Sequence, residues 1–417
     1  MTLSSQSEIH GQLMVKGYIE KMKNITFKKC LVLFVYCLMA VLSGHSLASN
    51  IHIEMAFLTE KMPVPPALSN LDPLLSDEGI QGAILGVKDN NTTGQFTGHH
   101  YDLKHIEVPA GDDVIAAFEK LVQEGHHYII VDVQSSILKK LSSLASVSKT
   151  LLFNVSSASD ELRNASCSAN TFHMIPSNAM KADALAQLML KKRWKNWFLV
   201  KGKNEKDHNF TKAIKRSAKR FGIKLVEEKT WNFDHDARRT AQAEIPVFTQ
   251  GADYDVLVVA DVKGLFGEYL TMNTWLPRPV IGTQGLVPRA WHRTHERWGA
   301  VQMQNRFYKQ AGRWMNDVDY SSWLAVRAVG EAVTRTNSVN SEEVNKFMLS
   351  DRFSLAGFKG VKLTFRGWNQ QLRQPVLLAM PRSIVSVLPH KEFLHPRTYL
   401  DTLGYDKPES KCELLNE

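Results

Sequence analysis

Residues 112–155 read DDVIAAFEKLVQEGHHYIIVDVQSSILKKLSSLASVSKTLLFNV, and this stretch decides the fold. Asp112–Glu124 has helical spacing and opens on an Asp cap, while Tyr128–Val133 is a β-branched apolar run. Ser136–Ser146 is helical again, and Thr150–Val155 is a second apolar run. A strand with no polar alternation is buried on both faces. Strand, helix and buried strand in succession therefore call for a parallel sheet with helices on both faces.

The same rhythm extends in both directions. Upstream lie a strand at Ile51–Leu58, a Pro-rich loop at Met62–Pro73, a helix at Asp77–Asn90 and a strand at Tyr101–Val108. Ile80, Ala83, Ile84 and Val87 give that helix one apolar face. Downstream, helices at Asn178–Lys191, Asn209–Phe221, Asp236–Thr249 and Gly264–Met272 alternate with strands at Trp197–Val200, Lys224–Trp231, Val256–Ala260 and Val280–Thr283. After Pro288 come helices at Trp298–Trp314, Tyr320–Thr336 and Ser341–Leu349, then strands at Lys362–Phe365 and Pro375–Ala379. The fold class expected is α/β, with two doubly wound Rossmann-like lobes in tandem.

The 417 residues are 44% hydrophobic and 22% charged, which excludes a disordered, collagen-like or disulfide-dense chain. The length exceeds the roughly 250–300 residues at which single cores stop growing. The formal charge is +9, which points to an anionic partner without choosing one. Part of it belongs to the N-terminus. Basic residues 21–29, an apolar run Cys30–Leu42 and a Ser46-x-Ala48 cleavage site read as a secretory signal, too short in its apolar part for the roughly 20-residue span of a membrane helix. Translation from Met22 would suit it. Removing residues 1–48 leaves 46 basic against 40 acidic residues, so an exported chain of modest charge is expected. Cys167 and Cys412 then remain, and in an oxidising compartment they are expected to form one disulfide, two separate thiols being the alternative.

Ligands of open α/β sheets sit beyond the carboxyl ends of the strands, and two facing sheets place the site in the cleft between them. The candidates are Glu60–Leu71, Gln134–Ser136 and Asn154–Ser157 in the first lobe. In the second they are Lys201–Lys203, Trp231–Arg239, Asp261–Lys263 and Gly282–Gly285.

Gly79-Ile80-Gln81-Gly82-Ala83 with Asp89-Asn90-Asn91 and Gly94 resembles the first helix and turn of type I periplasmic binding proteins, the receptors of ABC importers. Ala184–Leu188 before Trp197–Val200, Phe221-Gly222-Ile223, and Phe358–Val361 before Leu363–Phe365 are similar as well. A narrower set comprises Leu71–Pro73, Asp89–Gly94, Ile245–Gly251, Asp253–Asp261, Thr274–Pro279, Gln304–Phe307 and Phe358–Pro375. It resembles the subgroup associated with pyrroloquinoline quinone (PQQ)-dependent alcohol dehydrogenase systems, although Arg238–Gln242 is shorter than in relatives. The resemblance implies a three-strand hinge, a monomer in the periplasm, an ABC permease as partner and PQQ as transported ligand rather than catalytic cofactor. It implies lobes of residues 49–173 plus about 290–355 and 174–289 plus about 356–388, with 389–417 as a tail. The same fold with an amino acid, amide or small organic acid, or as partner of a membrane sensor, is the alternative.

PQQ is a flat aromatic quinone with three carboxylates, so its receptor needs aromatic faces and cations. Trp231 and Trp275 are the expected ring sandwich, and Arg163, Arg238 and Arg239 the carboxylate partners. Lys201 and Lys203 supply amines, and Asn154, Ser156, Ser157 and Gln284 supply amide and hydroxyl groups. His292-x-x-His295, His99-His100 and His126-His127 read as solvent-facing, so no metal is expected. Lys191–Lys195 ends a helix, where cations suit the dipole, and no nucleic-acid partner is expected. No Walker loop, GxSxG elbow or Cys-His dyad argues for an enzyme.

Overall fold

The computed structural model describes residues 51–63, 74–232 and 241–413; the expected signal segment, Leu71–Pro73, Arg238 and Arg239 lie outside the described residues. The chain begins with β1 (Ile51–Glu60), α1 (Ile80–Thr97), β2 (His99–Val108), α2 (Val114–Gln123) and β3 (Tyr128–Asp132). It continues through α3 (Ser135–Val147), β4 (Leu151–Asn154) and β5 (Thr171–His173). The strands form one parallel sheet in the order β2-β1-β3-β4-β5. The order reverses between β1 and β3, the position at which such sheets open a crevice.

The second lobe repeats the plan with α4 (Asn178–Lys192), β6 (Asn196–Lys201), α5 (Glu205–Arg220), β7 (Lys224–Thr230), α6 (Ala241–Phe248), β8 (Val256–Ala260) and β9 (Val280–Gly282). Its strands are parallel in the order β7-β6-β8-β9. β10 (Val287–Arg289) then leads back to the first lobe. There α7 (Ala300–Ala311), α8 (Asp317–Thr336), α9 (Ser341–Met348), β11 (Leu355–Ala356), β12 (Lys362–Phe365) and β13 (Leu372–Arg373) follow. β14 (Val376–Met380) and β15 (Ser383–Leu388) return to the second lobe and pair antiparallel with β10.

Core membership draws the lobes. Phe307, Trp323, Leu363, Phe365 and Leu372 pack with Phe57, Phe153 and Phe172, whereas Val376, Leu378, Leu388 and Leu403 pack with Leu199 and Val258. Residues 356–372, expected in the second lobe, thus sit on the first, because their alternate apolar side chains fit its core. The chain crosses between lobes after β5, β10 and β13. Gln371 ties two of these crossings, its Nε2 donating to the carbonyls of His173 and Ile175 at 3.1 Å each, and Gln374 donates to the Met174 carbonyl.

Local chemistry explains the element ends. Asp113, Ser177 and Asn204 accept backbone N–H bonds at the starts of α2, α4 and α5, and Asn316 with Asp319 closes a capping box on α8. α1 lies against α8 closely enough that a Cβ on Gly82 would meet the Asp319 carbonyl oxygen at 1.9 Å. The helix expected over 264–272 is a single 3₁₀ turn, Gly267–Thr271. Its cause is Asp261, whose carboxylate takes the N–H groups of Leu265, Phe266 and Gly267 and curls the chain tightly. Residues 389–413 touch both lobes: Leu403 packs in the second-lobe core, while the buried Asp401 carboxylate accepts from Arg366 of the first lobe and from Arg373 at the crossing, at 2.9 Å each. Cys412 is bonded to Cys167, 245 residues away, with Cα atoms 5.6 Å apart.

Candidate functional site

The two parallel sheets bring the ends of β1, β3 and β4 opposite those of β8 and β9, with a cavity of about 460 Å³ between them. From the first lobe Glu60, Asp132, Gln134, Ser135, Ser156, Ser157 and Asp317 line it. From the second come Asn178, Lys181, Lys206, Asn209, Asp261, Lys263, Thr283, Gln284 and Arg289.

The loop after β4 is held from beneath. Asn154 is fully buried; its Oδ1 accepts from the Ser157 N–H at 2.9 Å, and its Nδ2 donates to the Ser157 carbonyl at 2.8 Å. The same Nδ2 meets His173 Nδ1 at 3.0 Å, and His173 Nε2 faces the Leu162 carbonyl at 3.1 Å. Burial, with Arg163 nearby, holds the His173 imidazole well below its ordinary pKa, so it is neutral and its Nδ1 accepts. Ser157 Oγ then meets Ser135 Oγ at 2.8 Å, joining the loops after β3 and β4.

The charges of the cleft divide into two groups. Its acids are engaged by the protein. Glu60 accepts from Gln134 at 3.0 Å, Asp261 from the three backbone N–H groups above, and Asp317 from the Trp291 N–H at 2.8 Å with Arg289 3.6 Å away. Asp132 faces the Ser156 and Thr59 hydroxyls; burial pushes its carboxyl up, and those hydroxyls and Lys206 pull it back. The side-chain ammonium groups of Lys181, Lys206 and Lys263, by contrast, make no hydrogen bond or ion pair with described residues. Burial lowers the Lys181 ammonium pKa, opposed by Asp317 and Asp160. The cleft therefore presents amines to whatever enters it.

The structure divides the residues expected at the site. Ser156, Ser157 and Gln284 line the cavity, and Asn154 lies directly behind it. Trp231 and Trp275 do not form a sandwich across it. Trp231 is 7% exposed and stacked on Phe266 in the second-lobe core, with centroids 5.0 Å apart. Trp275 is 56% exposed, its backbone N–H bonded to Thr249 Oγ1 at 2.8 Å. Arg163 is 2% exposed and spent on Gln371 Oε1 at 2.7 Å and the Ser159 and Ile175 carbonyls, so it braces the crossings instead of meeting a ligand. Lys201 is paired with Glu228 at 2.6 Å and lines a second groove, and Lys203 lines neither cavity. Of the histidines expected at the surface, His99, His126 and His295 are buried, and His295 Nε2 meets the Phe358 carbonyl at 2.7 Å.

Reasoning from strand ends missed Asn178, Lys181, Lys206, Asn209, Arg289 and Asp317. Four of these sit on the first turns of helices that begin at the cleft, at spacings of three residues. A polar i, i+3 pair in the first turn of a helix that follows a strand is the signal that would have found them.

The periplasmic binding protein family matches residues 75–263. Among curated proteins, none matches the chain by sequence. A crystal structure of a periplasmic binding protein from Burkholderia mallei is 13% identical, with a TM-score of 0.63 over 88% of this chain and 100% of that one. A solute-binding protein of an ABC transporter from R. palustris in complex with benzoate is 14% identical, with a TM-score of 0.62 over 87% and 100%. A leucine-, isoleucine-, valine-, threonine- and alanine-binding protein from Brucella ovis, in its closed conformation, is 14% identical, with a TM-score of 0.62 over 78% and 88%.

Proposed function

We propose that this chain, of the periplasmic binding protein fold and matched by that family over residues 75–263, is the substrate-binding protein of an ABC importer that captures a net-anionic carboxylate in its interlobe cleft. The observation that carries the reading is the set of three lysines facing a cavity whose acids are already engaged. Ser135, Ser156 and Ser157 add hydroxyl and backbone groups on the opposite wall. The relative solved with benzoate holds an anionic carboxylate in the same fold. No described helix is long and apolar enough to cross a membrane, in keeping with a receptor that hands its ligand to a separate permease.

PQQ falls within this class through its three carboxylates. Its ring is the harder half to place, since among the described residues Phe210 is the one aromatic side chain lining the cavity and it is 3% exposed. The three-crossing connection supports closure of one lobe on the other, which would desolvate the lysine–carboxylate contacts. Lys181, the least exposed, then carries most of the affinity, on the order of 2–5 kcal/mol for a desolvated charge pair against under about 1 kcal/mol for an exposed one.

A thermal-shift screen tests the reading. Di- and tricarboxylates, PQQ among them, should raise the unfolding midpoint, and neutral amino acids and amides should leave it unchanged. A midpoint raised by zwitterionic leucine and indifferent to every net-anionic carboxylate would replace this reading with that of a neutral amino-acid receptor.

A further inference from the structure

At the other end of β1 from the cleft, eight residues or roughly 25 Å along the strand, the exposed face of the sheet gathers a second set of donors. His52 stands directly opposite His100 in the β1–β2 register, and Glu54 opposite Asp102. All four are exposed, while the alternating Ile53 and Tyr101 point into the core. The two imidazoles lie with centroids 5.1 Å apart and turn their Nε2 atoms towards one carboxylate. His52 Nε2 is 2.8 Å from Asp102 Oδ2, and His100 Nε2 is 3.5 Å from Oδ1.

We propose that His52, His100 and Asp102 bind one divalent transition-metal ion of the zinc–copper class. Two imidazole nitrogens and a carboxylate are the donor set such ions prefer, whereas calcium and magnesium seek a shell of oxygens. Tetrahedral zinc with bonds of about 2.1 Å holds its donor atoms about 3.4 Å apart. Here the three donor atoms already lie within 4.8 Å of one another, and no other such trio occurs among the described residues. Small rotations of exposed side chains close the remaining distance without moving the backbone. Glu54, in register beside Asp102, offers the next oxygen, and water completes the shell. As surface ion pairs these contacts contribute little, so the convergence of two imidazoles on one carboxylate gains most from a metal. The ion would clip the first residues of β1 to the edge strand β2. Among the described residues this stretch of β1 has β2 as its only strand partner, since β3 pairs from Met55 onward.

The test is a zinc titration of the purified protein by calorimetry, with thermal unfolding alongside. One equivalent should bind with a micromolar or tighter dissociation constant and raise the midpoint. His52→Asn and His100→Asn should each weaken binding by at least about tenfold, as loss of a metal ligand does. Because both side chains are exposed, the double variant should keep the zinc-free midpoint of the parent, which separates loss of the site from loss of the fold. Absence of saturable binding, or equal binding by the double variant, would overturn the assignment.

Discussion

Replacing Asn154 with alanine isolates the device that shapes the cleft. The side chain is fully buried and makes three hydrogen bonds, two with Ser157 and one with His173, at 2.8–3.0 Å. Losing them, and leaving the Ser157 N–H and His173 Nδ1 without partners behind the cavity wall, should cost about 3–5 kcal/mol, since each bond contributes roughly 1 and each stranded group adds its own penalty. The function should suffer separately, because the freed Ser156–Ser157 loop must be ordered again on ligand binding; about tenfold in affinity corresponds to roughly 1.4 kcal/mol of that ordering. Urea unfolding gives the first number and ligand titration the second. Ser143→Ala, on an exposed face of α3, is the control and should leave both nearly unchanged. A stability loss below about 1 kcal/mol, together with unchanged affinity, would refute the view that Asn154 holds the loop.

Three further outcomes follow from the same structure. Lys359 is buried and donates to Gln374 Oε1 and the Pro375 carbonyl at 2.9 and 2.8 Å, and burial lowers its pKa from 10.5 to about 7, with Asp317 opposing. The unfolded chain holds that proton up to about pH 10.5 and the folded chain only to about 7, so the residue's contribution to stability grows as pH rises through that window and is lost as it falls. The difference in unfolding free energy between wild type and Lys359→Met should therefore change by up to roughly 1.4 kcal/mol per pH unit there, and a flat difference would contradict the assignment. Gly82→Ala should destabilise by about 3 kcal/mol or more because its methyl meets the Asp319 backbone at 1.9 Å, whereas Gly367→Ala, with nothing within 4 Å, should be nearly neutral in the same denaturation assay. Cys412→Ser should cost about 2–5 kcal/mol, and reductant should lower the wild-type midpoint to that of the variant, since the bond closes a 245-residue loop.

The sheet was legible because its strands are buried on both faces. Ile129–Val131 and Val256–Val259 are continuous apolar runs that no other element explains, and the structure places both as central strands. Short strands such as β5 and β10 carry too few residues to show a period, and β15 alternates at the surface beside a turn. The cleft was half legible. The rule that ligands gather at strand ends reached Gln134, Ser156, Lys263 and Gln284, which the strands themselves aim at the opposite lobe. It failed for the tryptophans, because composition names an aromatic ring without saying whether it faces a ligand or, like Trp231, Phe266 in the core. It failed for Arg163 because the cation's partner, Gln371, lies 208 residues away. Lys181 was invisible for a related reason: a lysine on an apolar helix reads as a solvated face until a second lobe covers it.

The most direct test of the receptor reading is calorimetric titration of PQQ, beside a simple tricarboxylate and leucine, into the wild type and a Lys181→Ala/Lys206→Ala/Lys263→Ala variant. The account predicts saturable one-to-one binding of at least one carboxylate ligand by the wild type, none of leucine, and a loss of at least about a hundredfold in the variant, the 2.7 kcal/mol or so expected when a desolvated lysine contact is removed. Binding of leucine alone, or carboxylate binding unchanged by the three substitutions, would contradict it.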